Sequence, residues 1–134
     1  MPAMRSYFTP EQVEELIPIV KKKMRKLQML QQAVALIEDV EIEADDEELE
    51  YHYNFQLEKE FHRLNYQFYC QLESIEKLGA IVKDIEWGVV DFPCQFQGRE
   101  VLLCWQLGEP QLQFWHELED GYENRQPIVN LNKH

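Results

Sequence analysis

Between Asp91 and Arg125 the chain concentrates side chains that bind metals or move protons: Asp91, Arg99, Cys104, Glu109, His116, Glu117 and Arg125, with Trp115 among them. Cysteine, histidine and carboxylate form the usual ligand set for zinc or iron, and Cys104, His116 and Glu117 are the candidate ligands. An aspartate beside a cysteine also matches a general base next to a nucleophile, and a histidine among carboxylates suits acid–base work. The stretch lacks the spacings that make such chemistry specific: HExxH, paired CxxC and a glycine-rich phosphate loop are all missing. Each group therefore has an inert reading. A strand cysteine is often a small core residue. His116 and Arg125 would pair with Glu109, Glu117 or Asp120 to hold the tail, and Arg99 would pair with Asp91 across the two faces of a sheet.

The elements that must position these groups follow from periodicity. Gly88–Phe96 and Arg99–Leu107 alternate with period two around Gln97-Gly98, the signature of a two-residue hairpin. That turn sets Phe96 opposite Arg99, Cys94 opposite Val101, Phe92 opposite Leu103 and Val90 opposite Trp105, an almost wholly apolar face. The other face pairs Gln95 with Glu100, Pro93 with Leu102, Asp91 with Cys104 and Val89 with Gln106. A third strand after the Gly108-Glu109-Pro110 turn, with Leu107 against Leu112, puts Trp115 and Glu117 on the face of Asp91 and Cys104 and turns His116 inward. The segment Ala80–Trp87 contains a further short strand pattern, and the tail from Glu119 is rich in turns.

Ahead of the strands lie two helical stripes. Thr9, Pro10 and Gln12 form a helix start, with Thr9 as cap and Gln12 reaching back. Val13, Ile17, Val20, Met24, Leu27, Leu30, Val34 and Ile37 then recur in steps of three and four, so a helix from Pro10 to about Glu38 is expected, kinked but unbroken at Pro18. Leu57, Phe61, Leu64, Phe68, Leu72, Ile75 and Leu78 repeat the pattern up to a stop at Gly79. Two such helices joined by one loop fold back as an antiparallel hairpin in which each stripe buries the other. The join, residues 38–50, has nine acids in thirteen residues; without EF-hand spacing or a turn glycine it reads as a solvated tip whose later acids favour the next helix. The basic run Lys21–Lys26 reads as a solvated face. Glu58 and His62 share a helix face, but the paired Glu-x-x-His of di-iron bundles is missing.

The expected architecture is thus α+β in one domain, residues 1–134: a coiled-coil-like helical hairpin over 9–79 with its acidic loop at 38–50, then a small antiparallel three-stranded sheet and tail over 80–134. A net charge of -12 disfavours nucleic acid and anionic membranes. No apolar run spans a bilayer, the start has no signal-peptide core, and three cysteines without a CxxC pair suit reduced thiols, so a cytoplasmic protein is expected.

The stretches Phe8–Val20, Lys77–Pro93, Gly98–Pro110 and Phe114–Ile128 together resemble the prokaryotic domain of unknown function 2203. The resemblance implies a small stand-alone cytoplasmic bacterial protein and no established activity. It picks out, as a motif without roles, Asp91, Phe92, Pro93, Gly98, Arg99, Cys104, Trp105, Gly108, Glu109, Trp115, His116, Glu117, Gly121 and Arg125. Two functions are therefore expected, in this order. The first is a non-enzymatic interaction module with no cofactor, paired with a second copy or another protein through its helices. The second is a small zinc or iron protein, or an enzyme, built on the Cys/His/carboxylate cluster.

Overall fold

The computed structural model describes residues 6–40 and 42–133. Met1–Arg5, the first part of the start read above, lie outside the described residues, as do Glu41 in the acidic join and His134.

Helix α1 spans Pro10–Glu38. Its start is the reciprocal box expected: Gln12 N donates to Thr9 Oγ1 at 3.2 Å, and Thr9 N donates to Gln12 Oε1 at 2.9 Å. The helix runs through Pro18 without a break and buries Val13, Ile17, Val20, Met24, Leu27 and Leu30. Helix α2 spans Glu47–Glu76. Asp46 caps it, accepting from Glu48 N at 2.8 Å and Leu49 N at 3.4 Å, while Glu47, Glu48 and Glu50 fill the first turn. The acidic join is therefore shorter than 38–50, because the favourable interaction of acids with a helix N-terminus draws its last four residues into α2. The helices are antiparallel, with Lys23 Nζ bonded to Ser74 Oγ and Gln71 Nε2 donating to the Lys23 carbonyl at 3.0 Å. Gly79 ends the hairpin at φ +96°, where a Cβ would come within 2.8 Å of the Phe8 ring.

The sheet is an antiparallel meander of β1 (Ile81–Asp84), β2 (Val89–Phe96), β3 (Arg99–Gln106), β4 (Phe114–Glu117) and β5 (Gln126–Pro127). It has five strands among the described residues, not three: β1 falls in the short strand pattern of Ala80–Trp87 and joins the sheet, and two-residue β5 is too short to show a period. The β2–β3 register is the expected one at all eight pairs, from Val89 opposite Gln106 to Phe96 opposite Arg99. Gln97 and Gly98 both have positive φ, 51° and 82°, as a type I′ turn requires.

The third strand departs from expectation by one residue. Leu103 faces Trp115 and Cys104 faces Phe114, so Trp115 and Glu117 lie on the helix-facing side and His116 joins Asp91 and Cys104. Leu107 and Leu112 do not meet because each has another partner. Leu107 N donates to the Gly88 carbonyl at 2.9 Å, and Leu112 N donates to Glu14 Oε1 at 2.8 Å on α1.

The core joins α1 to the helix-facing side of the sheet, with Phe92, Leu103, Trp105 and Trp115 fully buried beside Val20, Met24 and Leu27. Both indoles are satisfied, Trp105 Nε1 by the Glu109 carbonyl at 3.0 Å and Trp115 Nε1 by the Pro127 carbonyl at 3.2 Å. The mutual burial expected of the helices is only partial. Ile75 is the single buried residue of α2, and Leu57, Phe61, Leu64, Phe68 and Leu72 remain half-buried.

Candidate functional site

Asp91, Cys104 and His116 come from three adjacent strands and project from the face opposite the helices. Cross-strand pairing sets Asp91 against Cys104, and the next strand brings His116 opposite Leu102, two residues along. All three are buried, and one ligand atom from each lies within 4.8 Å of the others. Among the described residues no other group of three such side chains is gathered this closely.

The imidazole is held at both nitrogens. His116 Nδ1 lies 2.8 Å from the Glu117 carbonyl oxygen and Nε2 lies 2.9 Å from Asp91 Oδ2. A carbonyl can only accept, so Nδ1 carries a hydrogen, and Nε2 meets the carboxylate. Burial works to strip the proton from the ring, but the hydrogen bonds to Asp91 and Glu117 and the Asp91 charge together outweigh it, against a small opposing effect of Lys83, and raise the pKa above the ordinary histidine value. Asp91 Oδ1 is buried with no hydrogen-bond partner among the described residues. Burial and the Asp91 carboxylate push the Cys104 thiol far above its ordinary pKa, with Arg125 opposing them, so without a metal it stays protonated.

Asp91 and His116 form part of the floor of a cleft of about 580 Å³. Its rim carries Lys83 and the largely exposed indole of Trp87. Gln106 ties the rim together: its Nε2 donates to the Trp87 carbonyl at 3.3 Å, and its Oε1 accepts from Tyr122 Oη at 2.7 Å.

The other candidates fall elsewhere. Glu117 is on the helix-facing side, 3.0 Å from Arg99, whose guanidinium sits 5.6 Å from the Trp115 ring centre. Asp91, not Glu117, is therefore the carboxylate beside Cys104 and His116, and the Arg99–Asp91 pair does not form. Arg125 pairs with Glu109 at 3.0 Å and stacks between Phe114 and Tyr122, at 4.2 and 4.0 Å from the ring centres. Glu109 is among the partners expected of Arg125, whereas the carboxylate that His116 meets is Asp91 and none of those expected of it. Cys94 and Cys104 project from opposite faces of the hairpin, and Cys70, Cys94 and Cys104 are all free.

Lys83, Trp87, Gln106 and Tyr122 were not singled out by sequence reasoning as part of a site. The β1–β2 ladder is irregular between Val82 and Asp84, so no alternation assigns Lys83 a face. Trp87 lies in the turn between those strands and Tyr122 in a 3-10 turn, where periodicity carries no signal.

Among the described residues no helix is long and apolar enough to cross a membrane. The chain matches, over residues 6–128, the model of a family described as "Uncharacterized conserved protein (DUF2203)", and it belongs to that family. No curated protein and no solved structure matches it.

Proposed function

We propose that this family member is a metal-binding protein that holds one zinc or ferrous ion on Asp91, Cys104 and His116, with a coordination position turned to the cleft. One observation carries the reading. With Nδ1–H committed to a backbone carbonyl, neutral His116 presents the Nε2 lone pair to the Asp91 carboxylate at 2.9 Å, and two acceptors so placed need a cation between them. A proton meets that need only for the pair, leaving Asp91 Oδ1 orphaned and the Cys104 thiol uncharged. A metal ion satisfies all three, since it takes a carboxylate, an imidazole nitrogen and a thiolate. Ligand bonds of about 2.0–2.3 Å put tetrahedral donor atoms roughly 3.3–3.8 Å apart, a small adjustment of the present cluster. The Nδ1–carbonyl bond is the outer contact that fixes a metal-bound histidine. Three protein ligands leave a fourth place for water or for a donor atom of a ligand in the cleft, which supports Lewis-acid chemistry or ligand capture.

The test is metal analysis of protein purified without chelator. About one equivalent of zinc or iron per chain is expected. Cys104→Ser and His116→Gln should each lose it while keeping the circular dichroism of the parent. A parent chain that retains no metal as purified, and none after incubation with zinc or ferrous ion and desalting, overturns the reading.

A second role rests on a different observation: the α2 stripe stays half-buried and Tyr51, Tyr66 and Tyr69 on that helix are exposed, which supports a protein–protein surface along the hairpin. The three free thiols support a reducing, cytoplasmic setting. A bacterial origin rests on the resemblance alone.

A further inference from the structure

The face of α1 turned away from the core carries a second stripe. Lys22, Lys26, Met29, Ala33, Leu36 and Val40 follow one another in steps of four, three, four, three and four, the spacing of a coiled-coil seam. Val20, Met24 and Leu27, which α1 buries against the sheet, lie on the opposite side of the helix, while buried Leu30 borders the stripe beside Lys26 and Ala33. Met29 is 68% exposed, Leu36 69% and Val40, just past the helix end, 45%. Lys22, Lys26, Met29, Leu36 and Val40 are exposed, and Ala33 between them is half-buried.

Its charges are polar along the axis. The Lys22 end carries the exposed cations Lys21, Lys22, Arg25 and Lys26, and the Val40 end runs into the acidic join with Glu43 and Asp45 exposed. Two copies side by side in parallel would set cation against cation and acid against acid. In antiparallel alignment about Ala33, Met29 falls opposite the Leu36–Ile37 turn, and Lys26 and then Lys22 fall past the last turn of the partner helix, on the side of its acidic join. Lys26 lies about 10 Å and Lys22 about 16 Å along the helix from Ala33, and on the other side α1 ends at Glu38, about 8 Å from Ala33, where the acidic join begins. Alanine at the centre lets two helix axes approach to about 8 Å. The surface is thus complementary to itself under a two-fold rotation, the requirement for an isologous pair.

We propose that the outer face of α1 pairs with the same face of a second copy, antiparallel, with Ala33 at the two-fold axis and Lys22 and Lys26 of each chain against the acidic join of the other. This rests on the interaction reading of the hairpin and is independent of the metal centre.

The experiment is light scattering on the full chain at tens of micromolar, with charge variants. The parent should have the mass of a dimer. Lys22→Glu/Lys26→Glu and, separately, Glu43→Lys/Asp45→Lys should each weaken association roughly tenfold or more. An equimolar mixture of the two variants should recover it, because opposite charges then meet at both ends of the seam. Ala33→Cys in a Cys70→Ser background should form an interchain disulfide on mild oxidation, as two residues facing each other across a two-fold axis do. A monomeric parent overturns this proposal and the homodimer together. A dimer that ignores both charge variants and gives no bridge at position 33 overturns this surface alone and leaves the interaction reading standing.

Discussion

The β2–β3 hairpin and the tip of the helical hairpin are patterned equally well, yet they differ in burial. From Val89 to Cys94 every residue of β2 is buried, while from Leu57 to Phe68 no residue of α2 is. Both segments place apolar residues on one side at the period of their secondary structure. They differ in the number of neighbours. The strands have α1 on one face and the tail, pinned by Arg125 over Phe114, on the other. The tip of the helical hairpin has a single partner helix, and each stripe is wider than the seam it meets. Period decides what a segment becomes, and the layer laid over it decides how much it buries.

The difference can be broken hardest at the polar cluster. His116→Ala in metal-free protein removes the imidazole partner of a carboxylate that is 0% exposed, and should cost about 3–5 kcal/mol in urea unfolding. A loss below about 1 kcal/mol would mean that water reaches Asp91 and that the floor of the cleft is open. Leu103→Ala comes next. Leu103 is fully buried between Phe92 and Trp115 on the helix-facing side, so about 2–5 kcal/mol should be lost. A near-zero effect would contradict the β2–β3 register itself.

That register was legible because a two-residue turn with Gly98 leaves a single alignment and the alignment sorted both faces. The same reasoning failed one strand later. Leu107 and Leu112 are apolar and evenly placed about a turn, but Gly88 and Glu14, far away in sequence, take their amides. A slip of one residue then moved Trp115 and Glu117 to the helix-facing side and put His116 beside Asp91 and Cys104, whose own pairing was as expected. Candidate types were therefore readable from composition, and their grouping was not, because it depends on hydrogen bonds made by α1. The helix boundaries were readable to the residue at Pro10, where Thr9 and Gln12 satisfy each other's amides without any tertiary partner.

That independence predicts a smaller, local effect. Thr9→Ala should cost about 1 kcal/mol, as a lost cap does. The loss should show in thermal unfolding and leave the metal content unchanged, because the cap lies on α1 and makes no contact with the cluster.

Leu57→Ala at the tip should show the smallest effect of all. Leu57 is half-buried, faces Ile37 and Phe61 along a shallow groove, and has no third layer above it. Truncation there opens a notch that water fills rather than a void, so most of the usual cavity cost is absent and about 0.5 kcal/mol or less should be lost in dilute protein. The measurement also bears on association. If the loss grows with protein concentration, Leu57 is being covered by a second chain, and the tip is then an interface, not a bare end. If the loss is large and independent of concentration, the helices zip more tightly than their exposure allows, and the contrast between the two hairpins is one of degree.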